Sequence, residues 1–228
     1  MTLCETRGLR AKYAATHGHN PTFHSGGAST RSGPAADSGR GARSDATTFL
    51  RSWLQHPLRT AAIAPSSGAL ARLITRDISA SDRVVELGPG TGAFTRELLA
   101  RGLPPSHLTV VEADPAFADL LTARFEDVQV VRANAATDPW QLSGTSDVDA
   151  VISGLPILSM PKGEVSGVLS TAFALLGPQG CFYQFTYGPK CPVRPKMLHC
   201  LQLQATRVGW TPRNLPPATV YRIQRQHR

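Results

Sequence analysis

An α/β fold built on a doubly wound, mostly parallel sheet is predicted by three observations. Short apolar runs alternate with helical patterns from Arg83 to Thr186, the order that lays parallel strands side by side under helices. The first run ends in a glycine-rich turn, Gly88-Pro89-Gly90-Thr91-Gly92. After Lys190 the alternation gives way to two strand-like runs joined by a turn-prone stretch, as an antiparallel closing hairpin requires.

Each element has its own signal. Residues 1–45 are rich in Ser, Gly, Ala, Thr, Arg and His and show no apolar periodicity, which predicts a disordered tail. The tail is also Arg-rich and acid-poor, as organellar transit peptides are. A helical segment is expected over residues 46–80. Phe49, Leu50, Trp53, Leu54 and Leu58 recur at helical spacing with Arg51, His56 and Arg59 around them. Such a basic amphipathic helix can lie in a membrane interface or pack on the domain behind it. A second helix is expected over Ser66–Ile78, capped by Ser66 or Ser67.

The domain proper is expected over residues 81–228. Its strands are read at Arg83–Leu87, Leu108–Glu112, Val128–Ala133, Val148–Ser153 and Gly180–Thr186. Helices are read at Ala93–Arg101, Ala116–Phe125 and Gly163–Leu176. Ala205–Trp210 and Ala218–Gln224 supply the closing hairpin around Thr211–Pro217. The sum is a seven-stranded Rossmann-like sheet.

Composition narrows the function classes. The chain has 228 residues, 41% of them hydrophobic, enough for one α/β domain and an accessory segment. No apolar run reaches the roughly 18 residues of a membrane span. The net charge is +8. The stretch from Cys181 to Arg228 holds eight Lys or Arg and no Asp or Glu, so that stretch alone accounts for the excess. A basic end of this kind can face nucleic acid or an anionic bilayer, or can form a solubilising rim. Cys4, Cys181, Cys191 and Cys200 form no CxxC pair; no metal site is expected, and a reducing compartment fits best.

The sharpest motif is Val84-Val85-Glu86-Leu87-Gly88-Pro89-Gly90-Thr91-Gly92. Glycines at this spacing let the backbone approach a ligand closely, and the helix behind them offers free N–H groups. Glu112 ends the second strand twenty residues after Gly92. An acid there can accept hydrogen bonds from both ribose hydroxyls of an adenosine ligand. The spacing departs from G-x-G-x-x-G, which weighs against a dinucleotide. A cationic sulfonium would also suit the carboxylate of Glu86.

The stretch from Arg83 to Thr186 resembles the class I S-adenosylmethionine-dependent methyltransferases. The resemblance implies that Gly88, Gly90 and Gly92 hold the methionine part of that cofactor and that Glu112, with Ala113 beside it, holds the ribose. Asn134, next to Ala135, stands where the family often has an acid that reads the adenine amino group. Ser153-Gly154-Leu155-Pro156-Ile157 follows the fourth strand, the place where amino-methylating members hold the acceptor nitrogen. Ribosomal RNA adenine dimethyltransferases carry Asn-Leu-Pro-Tyr there; Ser153 and Ile157 replace its Asn and Tyr, which removes the aromatic that would stack on an extruded adenine.

Four segments together look like the bacterial phospholipid N-methyltransferases: Phe49-Leu50-Arg51 with Trp53-Leu54, Ala62-Ile63-Ala64-Pro65-Ser66-Ser67, Ser153-Gly154-Leu155-Pro156, and Gln184-Phe185-Thr186-Tyr187-Gly188-Pro189. This resemblance implies methylation of phosphatidylethanolamine towards phosphatidylcholine, with other aminolipids such as ornithine lipid as alternatives. It also implies a cytoplasmic protein held peripherally at the inner face of an anionic membrane through Trp53 and Leu54. A ribosomal RNA adenine methyltransferase is the remaining enzyme reading, and nucleic acid is the less favoured partner. At the acceptor mouth, Ser153, Gly154 and Tyr187 are the expected catalytic positions. Tyr183 is a second polar aromatic there, alternatively a core residue, and Lys190 and Arg194 are candidates for the lipid phosphate.

Overall fold

The computed structural model describes residues 67–137 and 147–226. The tail expected over residues 1–45 and the Phe49–Leu58 helix, with Trp53 and Leu54, lie outside the described residues. The elements run α1 (Gly68–Ile74), β1 (Val84–Leu87), α2 (Ala93–Ala100), a 3-10 turn (Pro105–His107), β2 (Leu108–Glu112), α3 (Pro115–Arg124) and β3 (Gln129–Arg132). They continue with β4 (Val148–Ser153), α4 (Lys162–Leu175), β5 (Leu176–Thr186), α5 (Pro195–Cys200), β6 (Leu203–Thr211) and β7 (Ala218–Arg225).

The seven strands form one sheet in the order β3-β2-β1-β4-β5-β7-β6. The first five are parallel, and β7 enters antiparallel between β5 and β6. The chain order reverses between β1 and β4, so a crevice opens outside the carboxyl ends of these strands. The alternation expected from sequence is therefore observed, with the closing hairpin in place.

Strand residues alternate between the two faces. Val85, Leu87, Val151 and Phe182 pack with α4 residues such as Val168 and Leu169 on one side. Val84, Val110, Ile152 and Tyr183 pack with Leu70, Phe94, Leu98 and Leu121, from α1, α2 and α3, on the other. Both faces are covered, which is why β1 and β2 are mainly apolar and buried along their whole length, with Glu86, Thr109 and Glu112 as their polar residues.

The larger departures from expectation have physical reasons. Helix α1 is shorter than Ser66–Ile78; the Ser67 hydroxyl accepts from Leu70 N and fixes its start. Strand β5 starts at Leu176 rather than Gly180, because α4 runs straight into it. A register shift between Val148 and Ala150 absorbs Gly177-Pro178-Gln179-Gly180, residues whose turn character suggested a loop. Helix α5 was not expected; its six residues are too few for a periodic signal, though Pro195 at its first turn is a helix-start residue.

Candidate active site

The crevice begins where β1 turns into α2. Gly88, Gly90 and Gly92 all have positive φ, +64°, +53° and +78°, so the turn coils tightly in the left-handed region that favours glycine. A side chain at Gly92 would come within 2.5 Å of the Phe125 ring. The Arg124 guanidinium donates to Thr91 O at 2.7 Å and ties the turn to α3.

Glu112 lies opposite, at the end of β2, and is buried. Its Oε2 accepts from Gly90 N at 3.1 Å and its Oε1 from Asp114 N at 3.0 Å. Each carboxylate oxygen retains a second lone pair, so two ribose hydroxyls can be accepted at the same edge. A cavity of about 240 Å³ opens beside it, walled by Gly88, Glu112, Ala113, Asn134 and Ala135 and by Leu155 and Pro156. A charged acceptor at one end of flat apolar walls is the lining that an adenosine needs. The residues present therefore fit S-adenosylmethionine.

Asn134 is exposed on the cavity wall, and its Oδ1 accepts from Ala136 N at 2.9 Å. It holds its own turn while facing the cavity. Glu164, in the first turn of α4, and Met160 complete that wall; a single acid in a helix start gave no sequence signal for this.

Glu86 does not line the cavity. Its fully buried side chain points below the turn, where Oε2 accepts from the Thr95 hydroxyl at 2.6 Å. Burial pushes its pKa up to about 8, and the neighbouring Glu112 adds to the rise against the lowering Thr95 bond. Burial thus favours its neutral form, and the charge attraction to a sulfonium expected from sequence is opposed by the cost of ionising a carboxyl at this depth. The raised value has a sign. The folded chain keeps a proton that the unfolded chain releases above about 4.3. This contribution is complete below that pH and is lost as pH rises through about 8. Glu86→Gln is expected to flatten the fall in stability between pH 5 and 8, a difference on the order of a few kcal/mol. Thermal melts across that range check this; parallel curves for the two proteins would refute it.

The acceptor side is built by the connection after β4. Ser153 is buried, paired in register with Leu87 and Gln184, and its Oγ accepts from Leu155 N at 3.3 Å. Gly154 N donates to Leu87 O at 2.8 Å. Gln184, fully buried on β5, donates from Nε2 to Leu155 O at 3.0 Å. Sequence reading missed this glutamine, because a polar residue in a strand carries no hint of what it will reach. A second cavity, about 30 Å³, lies between residues 154–158 and the Phe185, Thr186 and Tyr187 end of β5.

Tyr187 stands at that mouth with its ring edge-on to Phe185, centroids 5.4 Å apart. Burial raises its pKa, and a hydrogen bond with Asn214 opposes the rise. Asn214 also accepts from Ser67 N at 3.0 Å and donates to Pro216 O at 2.8 Å. Tyr183 is corrected by the structure: it is 4% exposed and belongs to the core under α1, because two-residue alternation along β5 does not set its depth in the sheet. Lys190 and Arg194 are exposed beyond β5. Among the described residues no group of three or more His, Cys, Asp or Glu could hold a metal.

A curated protein with full-length similarity decides the family. The ornithine lipid N-methyltransferase of Singulisphaera acidiphila is 36% identical over 180 residues, covering 76% of this chain and 92% of that protein. This chain belongs to that family of S-adenosylmethionine-dependent N-methyltransferases. Its cofactor is S-adenosylmethionine, consistent with the Glu112 cavity. The ribosomal RNA adenine dimethylase family model also matches, over residues 71–149 only. The ribosomal RNA small subunit methyltransferase A of Chlorobium chlorochromatii is 39% identical over 56 residues, 25% of this chain and 20% of that one. The family-model match spans the glycine turn and Glu112 and stops before the connection after β4. Among solved structures, a TehB-like S-adenosylmethionine-dependent methyltransferase of Corynebacterium glutamicum has a TM-score of 0.56 at 15% identity, covering 81% of this chain and 100% of that one. The 1,6-didemethyltoxoflavin-N1-methyltransferase of Burkholderia thailandensis also scores 0.56, at 17% identity, over 86% and 93% of the two chains. At these identities they show the shared fold.

Proposed function

We propose that this protein methylates the amine of an aminolipid headgroup at the inner face of the cytoplasmic membrane. The observation that carries the reading is the extent of the ornithine lipid N-methyltransferase match. An alignment of 180 residues necessarily takes in the connection after β4 that builds the acceptor mouth, whereas the ribosomal RNA family match stops at residue 149. That relative favours ornithine lipid as first substrate. The four segments shared with phospholipid N-methyltransferases make phosphatidylethanolamine the second.

When bound, S-adenosylmethionine supplies an electrophilic methyl group on a positive sulfur. The chain's own residues supply placement and dryness. Glu112 and the glycine turn hold the cofactor's ribose and methionine parts. The Ser153-Gly154-Leu155 backbone, held by Leu87 O and Gln184, fixes the mouth through which the amine arrives. Alignment of a nitrogen at such a site is worth several kcal/mol of barrier. The amine must lose a proton before attack. Tyr187, held by Asn214 and kept a neutral phenol by burial, orients the amine through its hydroxyl oxygen, and the amine's proton leaves to water at the open mouth. Its ring face suits a methylated cationic product. From their exposed positions beyond β5, Lys190 and Arg194 meet the anionic lipid groups in this reading.

The test is methyl transfer from radiolabelled S-adenosylmethionine in parallel tubes with ornithine lipid vesicles, phosphatidylethanolamine vesicles and ribosomal RNA. Label in the chloroform phase of the ornithine lipid tube is expected, and chromatography counts the methyl groups. Label in the RNA alone overturns the lipid reading and leaves fold and cofactor standing.

A further inference from the structure

Among the described residues three large apolar side chains are exposed: Leu158 at 61%, Trp210 at 52% and Leu215 at 82%. Singly, exposed apolar residues are ordinary. These three share one end of the sheet. Leu158 borders the acceptor mouth after β4. Trp210 is the penultimate residue of β6, and Leu215 lies in the β6–β7 turn. The pairings Thr186↔Thr219 and Thr211↔Ala218 bring that turn beside the end of β5, where Tyr187 begins the mouth.

Charge gives a second, independent observation. The connections leaving β4 (154–161), β5 (187–194) and β6 (212–217) contain no Asp or Glu. They hold Lys190, Arg194 and Arg213, all exposed. Among the described residues the acids of this end of the sheet, Glu112, Asp114 and Glu164, belong to the cofactor half. Exposed Leu and Trp ringed by cations and no anions are the side chains that enter an anionic bilayer interface, with the apolar groups among acyl chains and the cations at the headgroups.

We propose that the β6–β7 turn, with Leu215 at its tip and Trp210 at its root, is a lip that inserts into an anionic bilayer and seats the acceptor mouth on it. The proposal rests on the aminolipid reading and names the surface by which that substrate is met. The lip is stiffened from within by Asn214, which holds Pro216 O, Ser67 N and Tyr187. A headgroup can then reach Tyr187 while its acyl chains stay in the bilayer beside Leu158.

The experiment uses the full chain and its Trp210→Ser/Leu215→Ser variant, neither residue being part of the mouth or the cofactor cavity. Flotation is measured on vesicles of equal parts phosphatidylglycerol and phosphatidylcholine. Methyl transfer is measured on ornithine lipid in the same vesicles and in detergent micelles. The expected result is about a tenfold or greater loss of vesicle binding and of vesicle turnover, with turnover in micelles and cofactor affinity retained. Leu215→Trp, which keeps an apolar tip, should bind vesicles at least as well as the wild type, and this separates insertion from misfolding. Unchanged flotation of the double variant overturns the lip, whatever the protein methylates. Reduced flotation in a protein that methylates no lipid would keep the lip and sink the aminolipid reading.

Discussion

Glu112→Ala is expected to weaken S-adenosylmethionine binding by about two to four orders of magnitude. The carboxylate has two tasks on one edge. It holds Gly90 N at 3.1 Å and Asp114 N at 3.0 Å, which keeps the glycine turn and the start of α3 facing each other. In the proposed reading its remaining lone pairs accept from the ribose diol. Hydrogen bonds to a charged group are worth about 1.5–3 kcal/mol each, so loss of the two from the ribose alone covers this range. Removal of the turn's anchor adds to it. Glu112→Gln keeps one acceptor and loses the charge, so it should fall between the two. Isothermal calorimetry checks both variants. An unchanged affinity in Glu112→Ala would remove the ribose assignment and with it the placement of the cofactor.

Gly154→Ala is expected to be the most damaging single methyl group in the domain. A Cβ there would overlap the carbonyl oxygen of Gly88 and meet that of Leu87 at ordinary contact distance. Both are backbone atoms in paired strands or their turns, so neither can swing aside as a flexible side chain could. Overpacking of this kind costs about 1–3 kcal/mol, or roughly 3–10 °C in melting temperature for a domain of this size. Relief by separating the two loops would pull the mouth away from the cofactor turn, so methyl transfer should fall at least about a hundredfold. Gly102→Ala, after α2 and away from both cavities, is the control. Nothing lies within 4 Å of a Cβ at that position, and only its positive φ carries a cost, of about 1 kcal/mol. Calorimetric melts and single-turnover assays distinguish them; equal behaviour of the two variants would show that the Gly154–Gly88 approach is not rigid.

The parts of this architecture that sequence makes legible are those with periodic or local causes. β2 and β4 match their expected bounds because each is a short stretch rich in Val, Ile or Thr between clear breakers. The glycine turn and Glu112 are recognisable because one strand-turn-helix unit brings them together. What stayed hidden depends on contacts distant in the chain. Gln184 meets Leu155 across 29 residues, and Asn214 meets Ser67 across 147. No local pattern encodes such pairs. Glu86 shows the same limit: its position next to the glycines was visible, but the burial that disfavours its charge was not.

The two ends of the described fold leave the sheet in opposite directions. Ser67 is held at the acceptor mouth by Asn214. Strand β7 begins there and runs away, and Arg225 is fastened at the far edge to the carbonyls of Phe173, Leu176 and Gly177. A fluorophore, fusion partner or surface tether joined beyond Gln226 therefore leaves the mouth turned outward. The same attachment joined just ahead of Ser67 would stand in the substrate's doorway. Immobilised on a sensor chip, the protein has a right way up.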